Sequence, residues 1–285
     1  MRSNITTRSI LRFGAVAILA GSLALSGASV ASAAPAGALV AGEVSVSGAT
    51  AASGKLKLKV TSRPAKNTEV GKLLVFKGTA PSKLKRKTVM LQLKVGTKWQ
   101  TVAKSRITSK RTFKVQARAT KAGAQRYRVA VAATRRTPAA ASSSFGYTVW
   151  AWYGIAGDSV SSSRLYRSNG DASIGGRNYP ESVVFGWTGY SVDGWAEYNV
   201  NYRCTQFRAT IGLLDSSKSG STRSFSLGVD SISVQFGTRG VGAGLPVKAD
   251  IAGAYRIKLN TLRDGNSIAG YATFGTPQVY CSSAP

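Results

Sequence analysis

Histidine is absent from all 285 residues of the chain. That removes the commonest general base, the commonest metal ligand and every histidine-dependent nucleophilic triad. Acids are scarce too: 11 Asp and Glu face 39 Lys and Arg, leaving few positions for the paired carboxylates of glycoside hydrolysis. Runs of Leu, Glu and Lys at helical spacing are missing, whereas Gly, Ser and Thr are frequent, so an all-β protein is expected. Beyond the first segment no stretch approaches the about 20 apolar residues of a spanning helix, and no transmembrane segment is expected there. No cofactor, metal or catalytic residue is expected, and the chain reads as a non-enzyme.

What is present begins with an export signal. Arg2 and Arg8 make a basic start, Arg12 precedes the apolar run Phe13–Ala20, and Ala31-Ser-Ala33 has the form of a cleavage site. Gly21, Ser22, Ser26, Gly27 and Ser29 break the run, which argues against a membrane anchor. Residues 1–33 are therefore read as a signal peptide and the protein as secreted. Outside the cell, the two cysteines, Cys204 and Cys281, read as one disulfide.

The positive charge is concentrated. Residues 54–148 hold 24 Lys and Arg against one acid, Glu69, whereas residues 149–285 hold 12 against nine. This asymmetry predicts two modules with different tasks. Residues 34–53, rich in Ala, Gly, Ser and Val, read as a flexible leader with a short strand around Glu43–Ser47.

In the first module, 54–148, period-2 alternation predicts strands over Lys55–Val60, Leu73–Gly78, Val89–Val95, Trp99–Ala103, Thr112–Ala117, Arg126–Ala132 and Phe145–Val149. Short strands at this spacing point to an immunoglobulin-like sandwich. Gly78-Thr-Ala-Pro81, Val89-Met-Leu-Gln92, Trp99-Gln-Thr-Val-Ala103, Phe113 and Tyr127-Arg-Val129 resemble the Ig-like modules of bacterial secreted proteins. Its cations, densest at Lys83, Lys85, Arg86 and Lys87 and joined by Arg106, Arg111, Arg135 and Arg136, suit a polyanion such as an anionic cell-envelope polymer. The alternative is a solvated face that guards strand edges. Specific nucleic-acid binding is not expected, because aromatic stacking platforms beside these cations are few.

From Trp150 onward charge falls and Trp, Tyr and Gly become denser. Strands are predicted over Ser182–Trp187, Ala196–Val200, Gln206–Gly212, Arg223–Val229, Ile232–Phe236, Leu245–Asp250, Tyr255–Leu259 and Ala269–Phe274. About eight antiparallel strands fit a jelly roll. Ile174–Val183, Glu197–Val200, Tyr202 with Phe207–Asp215, Phe225–Asp230, Leu245–Leu259 and Gly270–Val279 resemble, in order, the core of the NPCBM-type carbohydrate-binding module. That resemblance implies a galactose-binding-like jelly roll and a glycan partner. The chain departs from the pattern at Asp230-Ser231, where the family has Asp-Gly, and at its closing residues Tyr271, Phe274 and Cys281.

Protein–sugar contacts combine aromatic platforms with planar polar groups. Trp187, Tyr190, Asp193, Trp195, Glu197 and Asn199 form such a group around a glycine-rich loop and are the candidate ligand residues. Packing of Trp187 and Tyr198 is the alternative. Asp193 and Glu197 are the only close carboxylate pair in an aromatic setting. Asp215 reads as a turn cap, with a Ca²⁺ ligand as the alternative. Trp150 and Trp152 read as rings buried between modules.

Overall fold

The computed structural model describes residues 56–186, 193–264 and 270–285. The signal peptide, the leader, Trp187 and Tyr190 lie outside the described residues. The described chain is nearly all β, in three sheets of twelve, five and three strands. A single 3₁₀ turn, Ser82–Leu84, interrupts the strands. No helix among the described residues is long and apolar enough to cross a membrane.

Alternation in the sequence sets which side chains turn inward. In Leu73–Thr79, Leu74, Phe76 and Gly78 are buried while Leu73, Lys77 and Thr79 face water. The same rhythm in Thr112–Arg118 buries Phe113 and Val115. These two strands, with Lys59–Ser62, form the three-stranded sheet. They pack on Thr88–Val95, Gly123–Val131 and the start of Phe145–Gly154 through one core that includes Phe76, Leu91, Tyr127 and Tyr147. Phe76 and Tyr147 meet edge to face at 5.9 Å across the two sheets. The expected single strand over Lys55–Val60 divides instead. Leu56–Lys57 pairs with Ala140–Ala141, Lys59–Ser62 pairs with Leu73–Thr79, and Leu58 between them is buried.

A second core lies beyond Trp150. The five-stranded sheet runs Ser161–Ser163, Gly194–Asn199, Arg256–Arg263, Thr222–Val229, Ile232–Gly240. It covers the strands Arg177–Phe185, Cys204–Leu213, Leu245–Asp250 and Ala272–Cys281 of the large sheet through Phe185, Phe207, Phe225, Ile257 and Phe274. Phe225 and Phe274, from opposite sheets, meet edge to face at 5.5 Å. Cys204 and Cys281 stand directly opposite each other in neighbouring strands and are joined by a disulfide. Each cysteine is the terminal residue of its strand, beyond the expected strand bounds Gln206–Gly212 and Ala269–Phe274.

Besides the short strands Asn67–Glu69, Ala140–Ala141 and Ser161–Ser163, two larger features were not expected from sequence. Leu165–Ile174, assigned to no strand, forms a hairpin with Arg177–Phe185. Its two-residue loop is Gly175-Gly176, both at positive φ (+59° and +73°), which glycine tolerates without a Cβ clash. The second feature is the strand Phe145–Gly154. Its first half pairs with Gly123–Val131 of the first module and its second half with Ala272–Cys281 of the second. The boundary at 148/149 thus falls inside an unbroken strand.

Candidate functional site

The basic residues singled out from sequence come together at one end of the first module. Thr88 pairs with Arg106 where the Thr88–Val95 and Lys98–Arg106 strands meet this end. Arg86 N–H donates to the Ile107 carbonyl at 3.0 Å, Arg106 Nε donates to the Arg86 carbonyl at 3.0 Å, and Ile107 N–H donates to the Lys87 carbonyl at 3.0 Å. Buried Leu84 anchors the 3₁₀ turn, leaving Lys83, Lys85 and Arg86 exposed around it and Lys87 half-buried. Ala80 N–H donates to the Arg111 carbonyl at 2.9 Å, which brings the 108–111 turn alongside. Gly123–Val131 also ends here, since its Ala130 pairs with Met90, and exposed Arg135 and Arg136 follow in the Thr134–Thr137 turn. Arg86 and Arg111 both adopt left-handed backbone (φ 59° and 67°), which is uncommon for bulky side chains. Within the described residues of this module no lysine or arginine is in an ion pair. Glu69 lies at the far end, beside Trp150, about 26 Å away along the eight-residue rise from Gly123 to Val131.

The ligand residues predicted in the second module divide. Trp195, Glu197 and Asn199 alternate on the outer face of the five-stranded sheet, half-buried. Their partners across the ladder are Asn260, Lys258 and Arg256. Lys258 Nζ lies 4.1 Å from the centre of the Trp195 ring, a cation–π contact. Glu197 accepts from Arg256 at 3.0 Å and lies 3.5 Å from Lys258 Nζ, and Asn199 accepts from Arg256 Nε at 2.9 Å. These groups are engaged with one another. Asp193 accepts from the Arg263 N–H at 2.7 Å. It sits four residues from Glu197 along an extended segment, about 13 Å between Cα atoms, and each carboxylate is held by its own partners.

Asp215 ties elements together instead of capping its own turn. Its carboxylate accepts from Ser173 Oγ at 2.5 Å, Gly175 N–H at 2.6 Å and Gly176 N–H at 2.9 Å, holding the 174–177 hairpin. The Ser173 hydroxyl first, and the glycine N–H groups with it, hold its carboxyl below the usual carboxylate range. No cluster of metal-ligating residues occurs among the described residues.

Sequence reasoning missed an aromatic stack on the large sheet. Trp150 and Trp152 are not enclosed between modules. They share one face of Phe145–Gly154 and remain half-buried. Tyr280 stacks on Trp150 at 5.5 Å and meets Trp152 at 5.1 Å. Arg208 covers Trp152 at 3.9 Å, and its Nε and Nη2 donate to Gln278 Oε1 at 2.9 and 2.6 Å. The available signal was the spacing of Trp150 and Trp152, which puts both rings on one face of any strand through them.

No family model matches the chain, and no curated protein matches it. Among solved structures, the secreted serine protease VesC from Vibrio cholerae is 9% identical at a TM-score of 0.29, over 78% of this chain and 51% of that one. Tripeptidyl peptidase 2 is 8% identical at 0.26, over 79% and 20%. A tetra-tandem repeat from the extending region of a large adhesion protein is 9% identical at 0.27, over 79% and 74%. The chain thus spans about half of VesC and a fifth of tripeptidyl peptidase 2. Likenesses this distant carry nothing about what the chain does.

Proposed function

We propose that this is a secreted, non-enzymatic binding protein of the cell envelope, whose basic first module holds it on an anionic polymer. The carrying observation is the convergence of Lys83, Lys85, Arg86, Lys87, Arg106, Arg111, Arg135 and Arg136 on one end of that module, with the module's one acid at the other. Unpaired cations on adjoining loops raise the local potential and give salt-dependent binding without a shaped pocket. In this reading the first module is an Ig-like sandwich. The second is a galactose-binding-like jelly roll of NPCBM type, with the Trp195, Glu197 and Asn199 face as a glycan contact. Two packed, mainly antiparallel sheets around each core support both assignments, and the disulfide supports life outside the cell.

A purely electrostatic or structural wall protein is the competing reading. It is favoured by one observation: Lys258 already occupies a face of Trp195, and Arg256 already engages Glu197 and Asn199. The experiment is retention of the full mature chain on immobilised polyphosphate and polygalacturonate across a salt gradient. Elution set by salt on both matrices, and early elution of a variant lacking the Lys83–Lys87 cations, is expected. Salt-independent retention, or none, would sink the polyanion reading. In parallel, the chain is passed over neutral glycans with and without Trp195→Ala; retention lost in the variant marks the jelly roll as the sugar contact.

A further inference from the structure

A groove of about 460 Å³ opens where the two modules share the Phe145–Gly154 strand, lined by Asn67, Thr68, Glu69, Lys72, Trp150 and Tyr280. Its volume falls in the range of small-molecule sites, ~300–1,000 Å³. Neither the Trp195 face nor the basic end contributes to it.

The groove is built by local structure. Asn67–Glu69 lies parallel to Thr148–Trp150, in register Glu69 to Trp150. The chain then turns back at once: Lys72 N–H donates to the Glu69 carbonyl at 3.1 Å. Gly71 takes φ +85° at the third position of this turn, as a type II turn requires. Arg118 Nη1 fastens the turn by donating to the Gly71 carbonyl at 2.9 Å. The turn therefore presents Glu69 and Lys72 together beside the indole. On the other wall Tyr280 lies nearly parallel to Trp150, 20° between the rings.

We propose that this junction groove binds a neutral saccharide, with a sugar ring packed on the Trp150–Tyr280 wall and its hydroxyls hydrogen-bonded by Glu69, Asn67 and Lys72. The chemistry argues for that class. A sugar ring offers an apolar C–H face to an aromatic wall and a rim of hydroxyls that both donate and accept. Glu69 supplies acceptors, Lys72 donors and the Asn67 amide both. The single acid among 24 cations of residues 54–148 stands here, lining the groove with Lys72, so the module's positive charge is partly offset at this point. A polyanion is drawn instead to the other end. Burial first, and Glu69 second, push the Tyr280 hydroxyl above its ordinary value, which places that carboxylate within electrostatic reach of the aromatic wall.

The test uses the full mature chain with short cello-, manno- and chito-oligosaccharides, followed by calorimetric titration and by the indole N–H resonances in two-dimensional NMR. Saturable binding of at least one of them is expected. It should survive high salt, move the Trp150 resonance more than that of Trp195, weaken about ten-fold or more in Glu69→Gln, as loss of a hydrogen bond to a charged group predicts, and vanish in Trp150→Ala. Glu69→Gln keeps the side-chain shape, so it decides the matter even where the Trp150 variant fails to fold. The proposal is overturned if none of the saccharides binds saturably, if the Trp195 resonance responds in place of Trp150, or if Glu69→Gln leaves affinity unchanged. The polyanion reading is scored separately, by salt elution, so either can fail alone.

Discussion

Residues 56–149 and the chain beyond Trp150 bury cores of the same kind, aliphatic side chains and Phe or Tyr rings between two β sheets, yet they dress those cores differently. The first has no cysteine and a net charge of +22 with one acid. The second has a disulfide and nine acids against 12 cations, several of them locked locally, as in Glu197 with Arg256 and Lys258. Outward positions of a half-buried strand leave the core untouched, so two modules folded by one alternation rule can carry unlike surfaces. The charge of the first works against its compactness by self-repulsion, and among its described residues the one acid, Glu69, stands at the end away from the basic cluster.

The largest expected effect tests whether the disulfide sets the two modules apart. Closing 77 residues between Cys204 and Cys281 is worth about 4.5 kcal/mol in the chain-entropy account. A Cys204→Ser/Cys281→Ser chain should lose that much in urea unfolding while keeping salt-dependent retention on polyphosphate. Loss of retention under folding conditions would mean the basic end depends on the second module. Next, replacing Lys83, Lys85, Arg86 and Lys87 by Gln should lower polyanion affinity about 100-fold at low salt and flatten the slope of log K against log salt by about 3. An unchanged slope would return these residues to a merely solvated face.

A smaller effect concerns how the second module uses its acids. Asp215→Asn removes a charged acceptor from three donors and should cost about 1 kcal/mol at neutral pH, an amount already reduced for its exposure. Because the folded pKa is depressed, this contribution is full above the unfolded carboxylate value and fades as pH falls through the folded one. Wild type and variant should therefore converge in acid; a gap that persists there would mean that shape, not charge, holds the 174–177 hairpin. The smallest effect is at Tyr198, whose hydroxyl is buried without a hydrogen-bond partner among the described residues. Burial first, with Asp158 adding to it, pushes that hydroxyl's pKa upward. Tyr198→Phe should leave urea stability within about 1 kcal/mol, on the stabilising side. A clear loss would reveal a partner for the hydroxyl.

Legibility of the fold varied with the strength of local alternation. Leu245–Asp250 was readable to the residue, because both edges of its pattern are marked by glycine or a turn. Leu165–Ile174 was not: its outward residues Tyr166, Arg167, Ser168 and Asn169 run together, and three register shifts against Arg177–Phe185 break its period. The fall in charge near Trp150 looked like a boundary, whereas the strand runs through it, since composition records what each face meets and not where backbone pairing stops. Of the predicted ligand residues, Trp195, Glu197 and Asn199 were placed together by simple strand parity. Their capture by Lys258 and Arg256 depended on a register set by a strand some sixty residues away.

By itself the sequence determined the all-β class, the inward faces of most strands, the partner of each cysteine and the segregation of positive charge, because each of these follows from residue counts or from a period of two. The tertiary structure alone decided that loops at 80–87, 106–112 and 132–137 meet at one end, and that Glu69 stands beside Trp150 and Tyr280. Those contacts join residues tens to hundreds of positions apart. They are fixed by which strands pair and in what register, and packing two sheets over a common core, rather than any local pattern, selects that pairing.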